Sequence, residues 1–187
     1  CYSDLIYTKF GAGHSRYCRT TELLQEKMGK IDLQFAMRLL RDHGLDAGDP
    51  WQPGKGLAGA NVCMHASFGP IRISQTTGSM VSHLTADQST HWLTGTAAPC
   101  TSIFKPVWVD TGIPDLGPDP MATYDDATFW WRHENLHREI LRDYQTRIAI
   151  MKTERDELEN QYLDQSSKLI YKSQKFRRTF TQDCFEQ

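Results

Sequence analysis

An α+β chain is predicted, and two changes of period carry the prediction. Apolar side chains recur every three to four positions over residues 32–40 and again from Phe129 to Tyr162, as on helices, whereas residues 60–109 alternate between turn signals, as strands do. The third observation is the length and composition: 187 residues with 39% hydrophobic content suit about one domain with a core covering ~70% of the unfolded surface.

Residues 1–10 alternate loosely and read as a short strand, which Gly11 and Gly13 break. Thr20 or Thr21 is the expected cap of a first helix through Leu23, Leu24 and Met28, with Glu22 and Glu26 placed for the helix dipole and Gly29 as its stop. Asp32 is the expected cap of a second helix with Leu33, Ala36, Met37 and Leu40 on one face and Gly44 at C′, making a helical hairpin. Five glycines and two prolines between Gly44 and Gly59 predict a flexible surface loop of the kind that forms lids. Residues 60–109, punctuated by Gly69-Pro70 and by residues 86–89, predict three or four antiparallel strands in a meander. Within it, His91 and Leu93 should face one side and Trp92 and Thr94 the other, with Trp92 buried.

Three prolines between residues 110 and 128 indicate a tether laid over the surface. From Phe129 onward, Trp130, His137, Ile140, Tyr144, Ile148, Met151, Leu158 and Tyr162 predict one long amphipathic helix, with the mixed charges from Arg142 to Glu159 on its solvated face. The last twenty residues are expected to fray. Residues 1–128 are thus taken as the sheet-bearing part, and residues 129–187 as the helix and tail packed on it. No internal repeat is present.

A net charge of −2 with both signs interspersed gives no basic field for nucleic acid, and no apolar run approaches the ~20 residues of a membrane span. Neither a nucleic-acid nor a membrane partner is expected. Five widely spaced cysteines, at 1, 18, 63, 100 and 184, read as thiols in a reducing, cytoplasmic compartment. With Cys1 in place of Met and no signal-peptide pattern, a missing upstream segment is expected.

Several segments together resemble one family. They are Thr90-His-Trp-Leu-Thr-Gly-Thr-Ala-Ala-Pro-Cys-Thr-Ser-Ile-Phe-Lys-Pro-Val-Trp-Val-Asp110, Asn61-Val-Cys-Met-His65, Thr76-Thr-Gly-Ser-Met-Val81 and Trp131-Arg-His-Glu-Asn-Leu-His-Arg138. This pattern is similar to the secernin and dipeptidase branch of the N-terminal-nucleophile hydrolases, which includes the penicillin-forming acyltransferases. The resemblance spans roughly residues 21–161 and only the family's C-terminal half. It implies part of an αββα sandwich, a parent enzyme cleaving linear amide C–N bonds of dipeptides or N-acyl amides, and no cofactor. The partners it implies are such a substrate and the missing N-terminal half of the fold, with self-association into a homo-oligomer left open. Two alternatives stay open: acyl transfer to an amine, and a non-catalytic secernin-type regulatory or interaction protein.

In such an enzyme a mature N-terminal cysteine attacks the carbonyl while its own α-amine, of ordinary pKa ~7.7 to 8.0, takes the proton. Cys1 is followed by neither the Gly-containing turn nor the Arg-Asn-x-Asp segment of the family, and Leu39-Leu-Arg-Asp-His-Gly44 resembles the family's late region. The nucleophile is therefore expected upstream of this chain, with Cys1 the lesser candidate, and the chain alone is expected to be inactive. Candidates for lining the substrate pocket are His65, Ser79, Trp92, Gly95 and Cys100, the last carried by the turn that Gly95 and Pro99 set. A triad on Ser79 and His83 lacks the Gly-x-Ser-x-Gly elbow. His43, Cys63, His65, His83, His91 and Cys100 raise the question of zinc, but no Cys-x-x-Cys or His-Glu-x-x-His spacing completes a ligand set, so no metal is assigned.

Overall fold

In the computed structural model the described residues are 13–44, 51–53, 61–66 and 72–187, and the chain divides into two compact units, Cys1–Thr76 and Thr77–Gln187. Among the described residues there are five α-helices and one three-stranded antiparallel sheet, so the chain is α+β. No described helix is long and apolar enough to cross a membrane. The expected strand over residues 1–10 lies outside the described residues, as does most of the glycine-rich loop.

The first unit holds α1 (Gly13–Glu26) and α2 (Leu33–Leu40). Helix α1 begins at Gly13, well before the expected cap, and Thr20 sits inside it, its hydroxyl donating back to the carbonyls of Arg16 and Tyr17 at 2.9 and 3.0 Å. Asp32 does cap α2, its Oδ1 accepting from the Phe35 amide at 2.7 Å. The buried side chains of α2 are Phe35 and Met37, two positions apart and hence on opposite flanks; Leu33, Ala36 and Leu40 are half-buried. Cover on two sides replaces the single stripe that was expected. Gly44 is not the C′ residue either, since α2 ends in tight turns at Arg41 and Asp42, and the Gly44 amide donates to Asp42 Oδ2 at 2.9 Å.

The second unit is built on a meander of β1 (Met80–His83), β2 (Thr90–Leu93) and β3 (Lys105–Val107) in the order β1-β2-β3. Val81 opposes Trp92, and Trp92 opposes Pro106 on the other side. Thr90, Trp92 and Thr94 are buried while His91 and Leu93 are half-exposed, which is the expected alternation. Residues 112–127 form no helix or strand and are tied down by the Asp115 amide and carbonyl, each bonded to the Gln182 side chain at 2.9 Å, which bears out the tether.

The C-terminal helical region is three helices, not one: α3 (Phe129–Arg142), α4 (Tyr144–Leu169) and α5 (Gln174–Glu186). Asp143, at φ −146° and ψ 71°, leaves the helical region between α3 and α4; its amide closes α3 on Ile140 and its carbonyl opens α4 on Arg147. Aspartate is poor inside a helix and good at its ends, which favours a break there. Nor do the last residues fray: Arg177, Thr181, Cys184 and Phe185 of α5 are buried, and α5 packs on β3.

On α4 the buried stripe is Tyr144, Arg155, Glu159, Tyr162 and Ser166, so two residues assigned to the solvated face are inside. The Glu159 carboxylate accepts the Phe104 amide at 2.7 Å, and Arg155 donates to the Cys100 carbonyl at 2.6 Å. Thr181 of α5 donates to the Pro106 carbonyl at 2.9 Å. Helix and sheet layers are thus joined by bonds to backbone as well as by the apolar core of Trp92, Phe104, Trp108 and Ile140.

Candidate functional site

In the first unit three donor side chains converge. After α2 the chain runs through Asp42, whose carboxylate is clamped by Arg19 of α1 at 2.8 and 3.0 Å, and whose carbonyl accepts the Cys63 amide at 3.0 Å. Burial acts to raise the Asp42 pKa, but Arg19, the Gly44 amide and His43 outweigh it and hold the carboxyl below its ordinary value. Two residues beyond Cys63 stands His65, and Met64 between them is paired with Thr76 through both its amide and its carbonyl, each at 3.0 Å. Arg72 donates to the His65 carbonyl at 3.2 Å and to the Pro53 carbonyl at 3.0 Å.

This framework sets His43 Nε2 3.2 Å from His65 Nε2 and Cys63 Sγ 3.4 Å from the same nitrogen. Cys63 and His65 are 0% and 1% exposed. The Trp51 ring lies flat on His43, with centroids 3.7 Å apart and planes within 5°. A buried thiol facing two imidazole nitrogens can share protons along the chain of contacts or give its lone pairs to a metal ion.

The remaining described candidates belong to the second unit. Ser79 precedes β1; its amide bonds Thr94 Oγ1 at 3.0 Å and its carbonyl accepts from the Thr94 amide at 3.1 Å, a strand-pairing role. His83 is exposed, and the serine bonded to a histidine on this sheet is Ser82, at 2.9 Å from His91 Nδ1. Trp92 is 1% exposed in the core. Gly95 has φ +63°, with open space where a Cβ would stand, so its turn needs glycine for conformation and not for room. Cys100 is 3% exposed in the 3₁₀ turn Pro99–Thr101. Cys1 lies outside the described residues. None of the four described cysteines is in a disulfide.

Sequence reasoning missed a second histidine cluster, on α3 against the β2–β3 connection. His133 Nε2 lies 2.7 Å from the Ala97 carbonyl and 3.1 Å from Ser102 Oγ, and His137 Nδ1 lies 2.9 Å from Thr101 Oγ1. A ring nitrogen that close to a carbonyl must carry the proton, so His133 Nε2 is a donor and cannot accept one from Ser102. The Ser102 hydroxyl in turn reaches the Ala98 carbonyl at 2.9 Å. Burial pulls the His133 pKa down to about 4, although the bond to Ala97 acts the other way. The pair has the composition of a nucleophile and base but the wiring of a structural lattice.

The other reactive types in this unit are equally subdued. Cys184 is pushed up to about 12 by burial, against the pull of Lys105, so it stays a thiol. Lys105, 6% exposed, sits 5.5 and 5.4 Å from the Phe129 and Phe185 ring centres, and burial lowers it to about 8 while Cys184 and Glu159 act to raise it. A cleft of about 670 Å³ between α4 and α5 is lined largely by Leu169, Phe176, Phe180 and the stems of Lys168 and Lys175.

No protein-family model, curated protein or solved structure matches this chain.

Proposed function

We propose that this chain is the C-terminal portion of a cysteine N-terminal-nucleophile hydrolase of the secernin or dipeptidase kind, whose parent cleaves linear amide C–N bonds and of which this portion supplies one wall of the fold. The observation that supports the proposal is that the segment carrying the resemblance, residues 90–110, is one physical unit: buried strand β2, the Gly95 turn, the 3₁₀ turn bearing Cys100, and strand β3. The nucleophile is assigned outside the second unit, where Cys184 is held as a thiol and Ser102 faces a protonated ring nitrogen. The same inertness favours a second reading, a non-catalytic interaction protein of the secernin type, with the charged outer face of the 26-residue α4 as its exposed surface.

Amine release from a panel of dipeptides and N-acyl amides separates the two. The proposal expects no turnover from this chain alone, and turnover when an N-terminal half with a free N-terminal cysteine is supplied. Turnover by this chain alone, lost in Cys1→Ser, would place the nucleophile here; a silent reconstituted protein would leave the interaction reading.

A further inference from the structure

We propose that His43, Cys63 and His65 form a binding site for a divalent transition metal of the zinc class. The proposal stands independently of the hydrolase reading and goes beyond it. Its ground is distance. Around a tetrahedral zinc ion with Zn–N of about 2.05 Å and Zn–S of about 2.3 Å, two ligating nitrogens lie about 3.3 Å apart and a nitrogen and a sulfur about 3.6 Å apart. In the protein the two imidazole nitrogens are 3.2 Å apart and the sulfur is 3.4 Å from His65 Nε2. All three donor atoms lie within 4.8 Å of one another. Two of the three donor–donor distances therefore already match those of a coordination tetrahedron, and the third pair, His43 and Cys63, is within 4.8 Å.

The chemistry of the set selects the class of ion. One thiolate with two neutral imidazoles suits zinc, cobalt or copper and is a poor match for calcium or magnesium, which take oxygen ligands. Coordination forms one metal–sulfur and two metal–nitrogen bonds. It breaks the Cys63 S–H bond, whose proton leaves to solvent, and each ring gives its Nε2 lone pair with its proton on Nδ1; nothing is oxidised or reduced.

The backbone around the donors is braced as a ligand shell requires. Cys63 is fixed through the Asp42 carbonyl, Met64 through Thr76, and His65 through the Arg72 guanidinium on its carbonyl, while Trp51 fixes the plane of the His43 ring. His43 and His65 are 22 residues apart in sequence, so a bound ion would also staple two distant segments of the first unit.

The test uses the full 187-residue chain, stripped with a chelator and titrated first with cobalt(II) and then with zinc(II) against a chromophoric competitor. The expected result is one equivalent of cobalt with a thiolate-to-metal charge-transfer band and the visible band of tetrahedral cobalt, displaced by zinc. Zinc should also raise the melting temperature of the wild type. Cys63→Ser should abolish the charge-transfer band and weaken zinc at least 100-fold, and His43→Ala, at a half-buried position, should weaken it 10- to 100-fold while retaining the band. A matched circular dichroism spectrum of the metal-free variants keeps misfolding apart from lost ligation. Absence of stoichiometric binding would overturn the proposal in favour of a purely hydrogen-bonded triad. So would a charge-transfer band that survives Cys63→Ser, since the ion would then sit on another cysteine.

Discussion

The two units each place a pair of histidines beside a sulfur or hydroxyl group, and they use them in opposite ways. In the second unit the two imidazoles of α3 each meet an oxygen: His133 the Ala97 carbonyl and His137 the Thr101 hydroxyl. In the first, ring nitrogens of His43 and His65 face each other and the Cys63 sulfur. Dispersed partners make a rigid polar core, because each bond satisfies a buried group that would otherwise cost about 1–3 kcal/mol. Converging donors bring two ring nitrogens and a sulfur into mutual contact, the place proposed above for an ion. Residue type does not separate the two cases; what each ring nitrogen faces does.

The largest effect that tests this contrast is expected at Glu159, which serves the polar core of the second unit. Glu159→Ala removes the acceptor of the Phe104 amide and leaves a hole, so we expect a loss of about 3 kcal/mol in denaturant unfolding, with Glu159→Gln losing about half as much. Equal losses in the two variants would mean that charge and not bond geometry is what matters there.

Next is the pH dependence of His133. Its pKa is about 4 in the fold against an ordinary 6.5, so between these values the unfolded chain binds a proton that the folded chain does not. Stability is therefore fully present above pH 6.5 and falls as pH drops through 6.5 toward 4, by up to about 3 kcal/mol. His133→Gln should flatten that part of the profile, measured by urea midpoints across the range; an unchanged profile would show that His133 is solvated.

At Gly95 the expected cost is smaller. A side chain meets open space but must adopt φ +63°, so Gly95→Ala should lose about 1 kcal/mol and Gly95→Val about 2, by conformational strain alone. Differential scanning calorimetry on the two would show a much steeper difference if a clash were involved. The smallest effect falls in the first unit: in metal-free protein, His43→Ala should cost under about 1 kcal/mol, because the ring is half-buried. A loss as large as that of Glu159→Ala, read by the same unfolding assay, would make His43 a packing residue and dissolve the contrast between the units.

What the sequence revealed and what it hid follow from the same physics. Trp92 and its neighbours were legible because a half-buried strand alternates, and Asp32 because a cap is a local event. The inner face of α4 was illegible because Arg155 and Glu159 look solvated to any hydrophobic count, yet here they bond backbone groups of the sheet region. Asp143 was passed over because the apolar spacing runs on across it, and spacing carries no information about φ and ψ. His43 was in view but unassigned, since motif spacing detects ligands within a turn or two and not a partner 22 residues away.

The outer rim of β3 has a consequence for assembly. Along it the Phe104 amide is taken by Glu159, Pro106 has no N–H to offer and its carbonyl is taken by Thr181, and the Trp108 carbonyl accepts from Thr111. A strand arriving there would find these three groups already used. The opposite rim, β1, is short and exposed at Met80, Ser82 and His83. Among the described residues the two rims therefore differ: β3 has outward groups tied to the helices α4 and α5, whereas β1 carries exposed side chains, so a further strand would meet less obstruction beside β1.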